Sequence, residues 1–193
     1  MPSYPKIWFL RHGQTEWNKD YRLQGQLDSP LTDQGIADAQ RQAGLMAPIL
    51  EQKPAIFVSP LGRARATAEI ALGGMPFLTD NRLMEIHAGR WQGRLREDIL
   101  ADHPEWAEKR PSALEVYEAA PEGEGLQAFH TRITAFLEEL TMPTVIVAHG
   151  LLGQVLRAQV RGLNLSDAGH LSNRQGCIYV LQDGTETLLE SDA

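Results

Sequence analysis

A three-layer α/β/α sandwich around a mostly parallel but mixed sheet is the fold this sequence predicts, and three observations lead to it. Short apolar, β-prone runs alternate along the chain with Ala-rich or amphipathic stretches, the order expected of βαβ units. Two of those runs, Lys6-Ile-Trp-Phe-Leu10 and Thr144-Val-Ile-Val-Ala148, are apolar after their first residue, as suits strands covered on both faces. The last two runs flank Asp183-Gly184, a hairpin signal that makes the end of the sheet antiparallel.

Taken in order, the first strand ends at Arg11-His12-Gly13. Thr32 or Asp33 can cap a helix running through Ala37 to about Leu50, which stops before Pro54. Ala55-Ile-Phe-Val58 reads as the second strand, and Ser59-Pro60 opens the next helix, with Ser59 as its N-cap and Pro60 in its first turn. A short strand is expected at Phe77 to Thr79. Residues 94–122 are charged and interrupted by proline, and they read as an inserted helical flap over the strand ends. A helix at about Glu124 to Leu140 follows, then the Thr144 strand, then an apolar helix from Leu151 to about Val160. Cys177 to Gln182 and Thr185 to Leu189 form the closing hairpin.

Composition bounds the possibilities. With 193 residues and 42% hydrophobic content the chain suits one well-packed domain spanning 1–193. A net charge of −7 argues against general nucleic-acid binding. The single cysteine, Cys177, rules out an internal disulfide framework, and six scattered histidines show no His-x-x-x-His pair, so no metal and no cofactor is expected. Met1 to Lys6 lacks the basic-then-apolar order of a leader, and no run is long enough to span a membrane, so the expectation is a cytoplasmic protein with no membrane partner.

Chemistry gathers at the carboxyl ends of strands in open α/β sheets. Arg11 and His12 leave the first strand together, and Gly13 allows a sharp turn that brings backbone amides near an anion. Arg63 follows the second strand at a helix start, with its planar fork suited to phosphate, whereas Arg65, two residues on, lies on another face of the helix. His149-Gly150 repeats the first device after the Thr144 strand. A phosphate site is the outline these residues draw.

From about Ile7 to Tyr179 the chain resembles the histidine phosphatase superfamily, also called the phosphoglycerate mutase-like family. The resemblance is carried by Arg11-His-Gly13, Ser59-Pro-Leu-Gly-Arg-Ala-Arg-Ala-Thr67, Leu83-Met-Glu-Ile-His-Ala-Gly-Arg-Trp-Gln-Gly93, Thr144-Val-Ile-Val-Ala-His-Gly150 and Leu171-Ser-Asn-Arg-Gln-Gly-Cys-Ile-Tyr179. It implies a phosphohistidine mechanism without metal. His12 is then the nucleophile, kept neutral by Arg11 and Arg63, with a backbone carbonyl near Gly13 fixing its tautomer. Arg11, Arg63 and His149 clamp the phosphoryl oxygens, Asn18 is a neutral donor, and Gly13 and Gly150 approach the phosphate. Glu85 protonates the leaving group and then activates water, while Gln24 and Gly25 line the opposite wall and Asn173 braces the site. His87 reads as either pocket-lining or structural. Arg94, Arg96, Lys109 and Arg110 of the flap are candidates for a second anionic group.

The implied activity is hydrolysis of a small phosphorylated metabolite. Phosphoglycerate mutases of the family carry Glu-Arg-His-Tyr-Gly around the acid, where this chain has Glu85-Ile-His-Ala-Gly89; a guanidinium that binds an anion has no substitute in isoleucine. A mutase remains the alternative enzyme. A catalytically silent phosphate-binding domain and a metal-dependent hydrolase are the readings from other classes. A final departure is Pro121-Glu-Gly-Glu-Gly125, where the family ends the motif in serine; Gly125 removes a hydroxyl cap from the helix that follows.

Overall fold

In a computed structural model, residues 4–191 are described; the first three residues of the segment read for a leader lie outside them. The strands are β1 (Ile7–Arg11), β2 (Ala55–Val58), β3 (Leu78–Thr79), β4 (Thr144–Ala148), β5 (Ile178–Gln182) and β6 (Thr185–Leu189), and they form one sheet in the order β3-β2-β4-β1-β5-β6. β1, β2, β3 and β4 run parallel, and β5 and β6 complete the sheet antiparallel. Asp183 and Gly184 both take positive φ, 50° and 72°, the two left-handed residues that a tight type I′ hairpin requires.

Helices α1 (Glu16–Lys19), α2 (Asp33–Leu50) and α3 (Gly62–Ala71) precede three short ones, α4 (Arg96–Ala101), α5 (Trp106–Lys109) and α6 (Ala113–Glu118). These three occupy the stretch expected to be a helical flap. Then come α7 (Leu126–Glu138), α8 (Gly150–Val160) and α9 (Leu165–Ala168). Alternation along the central strands builds the layers. Trp8 and Leu10 of β1 and Val145 and Val147 of β4 pack with Met46 and Ile49 of α2 and Ala64 and Ala68 of α3. Ile7, Phe9 and Ile146 point the other way, into a core with Phe129, Ile133 and Phe136 of α7 and Leu152, Val155 and Leu156 of α8. Both faces of β1 and β4 are therefore dry, which is why their sequences are apolar from Ile7 to Leu10 and from Val145 to Ala148.

Two helix starts differ from what local capping chemistry suggests. α3 begins at Gly62 behind Leu61, not behind Ser59. The Ser59 amide still donates to the Val147 carbonyl at 2.9 Å, so strand pairing carries the backbone past the expected cap. Asp28 performs the capping from a distance, its Oδ1 accepting from the Arg63 amide at 3.2 Å. At α7, Gly125 provides no side-chain cap, and the Glu118 carboxylate accepts from the Leu126 amide instead. By contrast Thr32 caps α2 as expected, accepting from the Gly35 amide at 3.0 Å.

Candidate active site

β1, β2 and β4 end side by side, so the residues that follow them share one sheet edge. β1 delivers Arg11 and His12, β2 delivers Ser59 and the approach to Arg63, and β4 delivers His149. The His12 amide donates to the Ala148 carbonyl at 3.0 Å, extending the β1–β4 register by one residue. His12 and His149, 3% and 0% exposed, lie with ring centroids 5.3 Å apart.

The tautomer of His12 follows from its neighbours. Its Nδ1 lies 2.7 Å from the Gly13 carbonyl, an acceptor only, so Nδ1 carries the proton and Nε2 keeps its lone pair. Burial, followed by the charges of Arg63 and Arg11, holds the imidazole well below the ordinary histidine pKa. His149 is held down for the same reasons, burial first and Arg63 second. Its Nε2 is 2.7 Å from Ser59 Oγ. Ser59 Oγ accepts from the Leu61 amide at 3.4 Å and keeps one hydrogen and a second lone pair, so it can pair with either ring tautomer; when its hydrogen goes to Nε2, the ring proton stands on Nδ1.

Arg63 is gripped by the loop after α1. Its Nη2 donates to the Gly25 carbonyl at 2.8 Å, and its Nη1 to the Leu27 carbonyl at 2.7 Å and to Asp28 Oδ1 at 3.2 Å. Arg11 Nη1 donates to the Asn173 carbonyl. Arg11 Nε, Arg63 Nε and His149 Nδ1 are buried with no hydrogen-bond partner in the protein. Unpaired buried polar groups are rare in folded chains, and here three such nitrogens, two of them guanidinium donors, surround one imidazole.

Glu85 closes the constellation from the loop after β3. It is 6% exposed; Oε1 accepts from the Ile86 and Leu152 amides and Oε2 from the Leu151 amide, each at 3.0 Å. The carboxylate thus sits at the N-terminus of α8. Burial pushes its pKa above the ordinary carboxylate value, against those amides and Arg63, which pull the other way. Asn18 is fixed by its capping box: Oδ1 accepts from the Thr15 amide at 3.2 Å, and its own amide donates to Thr15 Oγ1 at 3.1 Å. This leaves Asn18 Nδ2 with no protein acceptor among the described residues.

Other expected residues fall into place differently. The Gly13 amide is not open to an anion, because it donates to Thr67 Oγ1 at 3.0 Å. Gly13 serves packing instead: a Cβ there would stand 2.1 Å from the Gly35 carbonyl at the start of α2. At Gly150 an added Cβ would meet the Asn173 side chain at 2.6 Å and Arg11 Nε at 3.2 Å, so the missing side chain makes room for those groups. Gly25 contributes its carbonyl to Arg63. Gln24 is 4% exposed with Oε1 unpartnered. His87 reads as structural, with Nδ1 accepting from the Gly89 amide at 3.1 Å and Nε2 facing Gln92 at 3.2 Å.

Of the flap cations, Arg94 is paired with Asp102 at 2.6 Å and Arg96 donates to the Pro111 carbonyl at 2.9 Å, while Lys109 and Arg110 are exposed. A flap side chain that reaches the site loop is that of Tyr117, whose hydroxyl accepts from the Gln24 amide at 3.1 Å. Sequence reasoning read Ser59 only as a helix cap and gave no role to Tyr117 or to Gln175, which donates to the His12 carbonyl at 2.9 Å. Among the described residues no three His, Cys, Asp or Glu side chains converge as a metal-binding group, and no helix is long and apolar enough to cross a membrane.

Comparison with known proteins bears on the family and the fold. The model of the histidine phosphatase superfamily (branch 1) matches residues 7–189. A "Probable phosphoglycerate mutase GpmB" of Serratia proteamaculans (strain 568) is 32% identical over 167 residues, 82% of this chain and 75% of the relative. Bacillus stearothermophilus YhfR superposes with a TM-score of 0.80 at 30% identity, covering 98% of both chains. A "putative alpha-ribazole-5'-P phosphatase" of Escherichia coli superposes with a TM-score of 0.76 at 26% identity, covering 97% of both.

Proposed function

The chain belongs to the histidine phosphatase superfamily, and from that premise we propose that it is a metal-independent phosphomonoester hydrolase acting on a small phosphorylated metabolite through a phosphohistidine at His12. The observation that carries this reading is the set of unpaired buried nitrogens, Arg11 Nε, Arg63 Nε and His149 Nδ1, around an imidazole whose Nδ1 is committed to Gly13. A phosphoryl group offers those nitrogens their acceptors.

In the first step His12 Nε2 attacks phosphorus, the N–P bond forms, and the P–O bond to the leaving group breaks. Arg11, Arg63 and His149 stabilise the charge on the non-bridging oxygens, and Asn18 Nδ2 adds a neutral bond. Glu85 gives its proton to the departing oxygen. In the second step Glu85 takes a proton from water, the water oxygen bonds to phosphorus, and the N–P bond breaks to free His12 and phosphate. Burial of Glu85 suits the first step, and a bound phosphate dianion pushes its pKa further up.

Hydrolysis is favoured over mutase chemistry by the residues beside the acid. Ile86 and Ala88 are both 0% exposed and packed in apolar clusters, so neither position offers a contact to a second anionic group. The test is phosphate release from a panel of phosphomonoesters in chelator, beside His12→Ala, with phosphoglycerate followed for isomer exchange. His12-dependent release in chelator supports the hydrolase. Exchange without release transfers the assignment to mutase, and loss of activity in chelator overturns it.

A further inference from the structure

Glu85 stands on a turn with two regular helical hydrogen bonds and no strand of its own, yet its carboxylate must meet three amides and a leaving group. What holds that turn is a guanidinium on α7. Arg132 donates through Nη1 to the Arg82 carbonyl and through Nη2 to the Glu85 carbonyl at 3.1 Å. Its Nε and Nη2 also engage both oxygens of Glu124, with Nη2 to Oε2 at 3.0 Å. Glu124 in turn accepts from the His87 amide at 3.3 Å, and its own amide donates to the His87 carbonyl at 3.0 Å. One ion pair therefore ties the backbone at 82, 85 and 87.

Both partners are largely shielded, with side chains 17% and 16% exposed, and the Arg132 guanidinium lies 4.7 Å over the Phe129 ring. A planar fork held by a bidentate carboxylate and an aromatic face has little freedom. The Glu85 carbonyl has one further donor, Gln26 Nε2 at 3.2 Å, which comes from the loop that holds Arg63. A neighbouring tie between the same turn and the same helix avoids residue 85: the Arg82 side chain binds Asp80, Glu139 and the Ala135 carbonyl.

We propose that Arg132, fixed by Glu124, is a positioning residue for Glu85: by holding the Glu85 carbonyl it sets where the carboxyl stands for proton transfer. This rests on Glu85 being the acid of the proposed reaction. Misplacing a general acid matters in proportion to how much the leaving group needs its proton. An alkoxide needs it, and 2,4-dinitrophenolate does not.

The experiment compares Glu85→Gln, Arg132→Met, Glu124→Gln and Arg82→Met on an alkyl phosphate and on 2,4-dinitrophenyl phosphate, with the folded fraction of each measured by thermal unfolding. Arg132→Met and Glu124→Gln are expected to lose about tenfold or more in kcat/KM on the alkyl ester, the lower part of the range for general acid catalysis, and less than about threefold on the dinitrophenyl ester; kcat/KM is the readout because it covers only the steps up to departure of the leaving group, not the hydrolysis of phosphohistidine, which uses Glu85 with both substrates. Arg82→Met, which cuts comparable ionic contacts without touching residue 85, should affect both substrates alike. If Arg132→Met lowers both substrates equally while Glu85→Gln shows the leaving-group split, the positioning role is overturned and the acid assignment survives. If Glu85→Gln shows no split, the acid assignment itself fails, and this inference fails with it.

Discussion

Two regions of this molecule bury arginine, and they use it in opposite ways. Arg157, on α8, has a side chain 2% exposed. It donates through Nε and Nη2 to the two oxygens of Glu186, each at 2.8 Å, and through Nη1 to the Ser172 carbonyl at 2.6 Å, while its plane stacks 3.7 Å from the Tyr179 ring centre. Its charge is matched by a carboxylate and its fork is fully occupied. Arg63, as deeply buried, and Arg11, half-buried, at the other end of the central strands each leave a buried Nε unpaired, and they press against two histidines rather than pairing with a buried carboxylate. Residue type is alike in both regions. The difference is whether the donors are satisfied inside the chain, which separates a guanidinium that joins α8 to β6 from guanidiniums set for an outside anion.

Substitution at each region should break different properties. Arg11→Met is expected to lower kcat/KM by about 10²–10³-fold, the scale of losing an oxyanion donor, with stability changed by about 1 kcal/mol or less because only the bond to the Asn173 carbonyl goes. Steady-state kinetics and chemical denaturation check both halves. Inorganic phosphate should raise the Tm of the parent chain, and much less that of Arg11→Met.

Arg157→Met should do the reverse. Breaking a buried ion pair costs about 3–5 kcal/mol, and the lower figure is expected because Arg161 still reaches Glu186 at 3.5 Å. Turnover per folded molecule should hold within about twofold, since Arg157 supplies no unpaired donor. A large fall in kcat would break the comparison, showing that the Ser172–Asn173 segment links the two regions.

The site's strain should also show as acid lability. His12 and His149 have pKa values depressed below 6.5 in the folded chain. As pH falls below 6.5 the unfolded chain takes up two protons that the folded chain refuses. Glu85, with its pKa raised, holds its proton to higher pH in the folded chain and offsets part of this. Stability thus falls as pH drops below 6.5, by about 1.4 kcal/mol per pH unit for each proton by which the unfolded chain leads. Denaturation between pH 7 and 5 reads the slope. Arg63→Met removes a cationic cause of both shifts and should flatten it, while Arg157→Met should leave it unchanged.

The smallest expected effect is Ser59→Ala, which removes the hydrogen bond that orients His149. A loss of about fivefold in kcat/KM corresponds to one ordinary hydrogen bond, and kinetics on one good substrate suffices. No change would mean that packing alone sets the His149 ring.

How far the sequence reveals this comparison depends on the range of the forces involved. The layers, the parallel strands and the closing hairpin are legible because periodicity and the Asp183-Gly184 turn are local signals. Arg11, His12, Arg63 and His149 are legible as a group because strand ends bring chemistry to one edge. The start of α3 is not, since pairing of Ser59 with Val147 overrides a local cap. Nor is the commitment of the Gly13 amide to Thr67, or the tie between Ser59 and His149, partners 90 residues apart. Such contacts exist only once the layers have packed, and nothing in their spacing announces them. The role of Arg157 is hidden for the same reason, because its carboxylate lies on a strand edge 29 residues on.

The central claim is that His12 is the nucleophile and reacts through Nε2, because Nδ1 is held by the Gly13 carbonyl. Mixing the enzyme with a phosphomonoester bearing a good leaving group, quenching in alkali and mapping the labelled phosphate by mass spectrometry and ³¹P NMR tests it directly. Phosphate on Nε2 of His12, absent in His12→Ala, is the result this account predicts; phosphate on Nδ1, on His149 or on no histidine during turnover would contradict it.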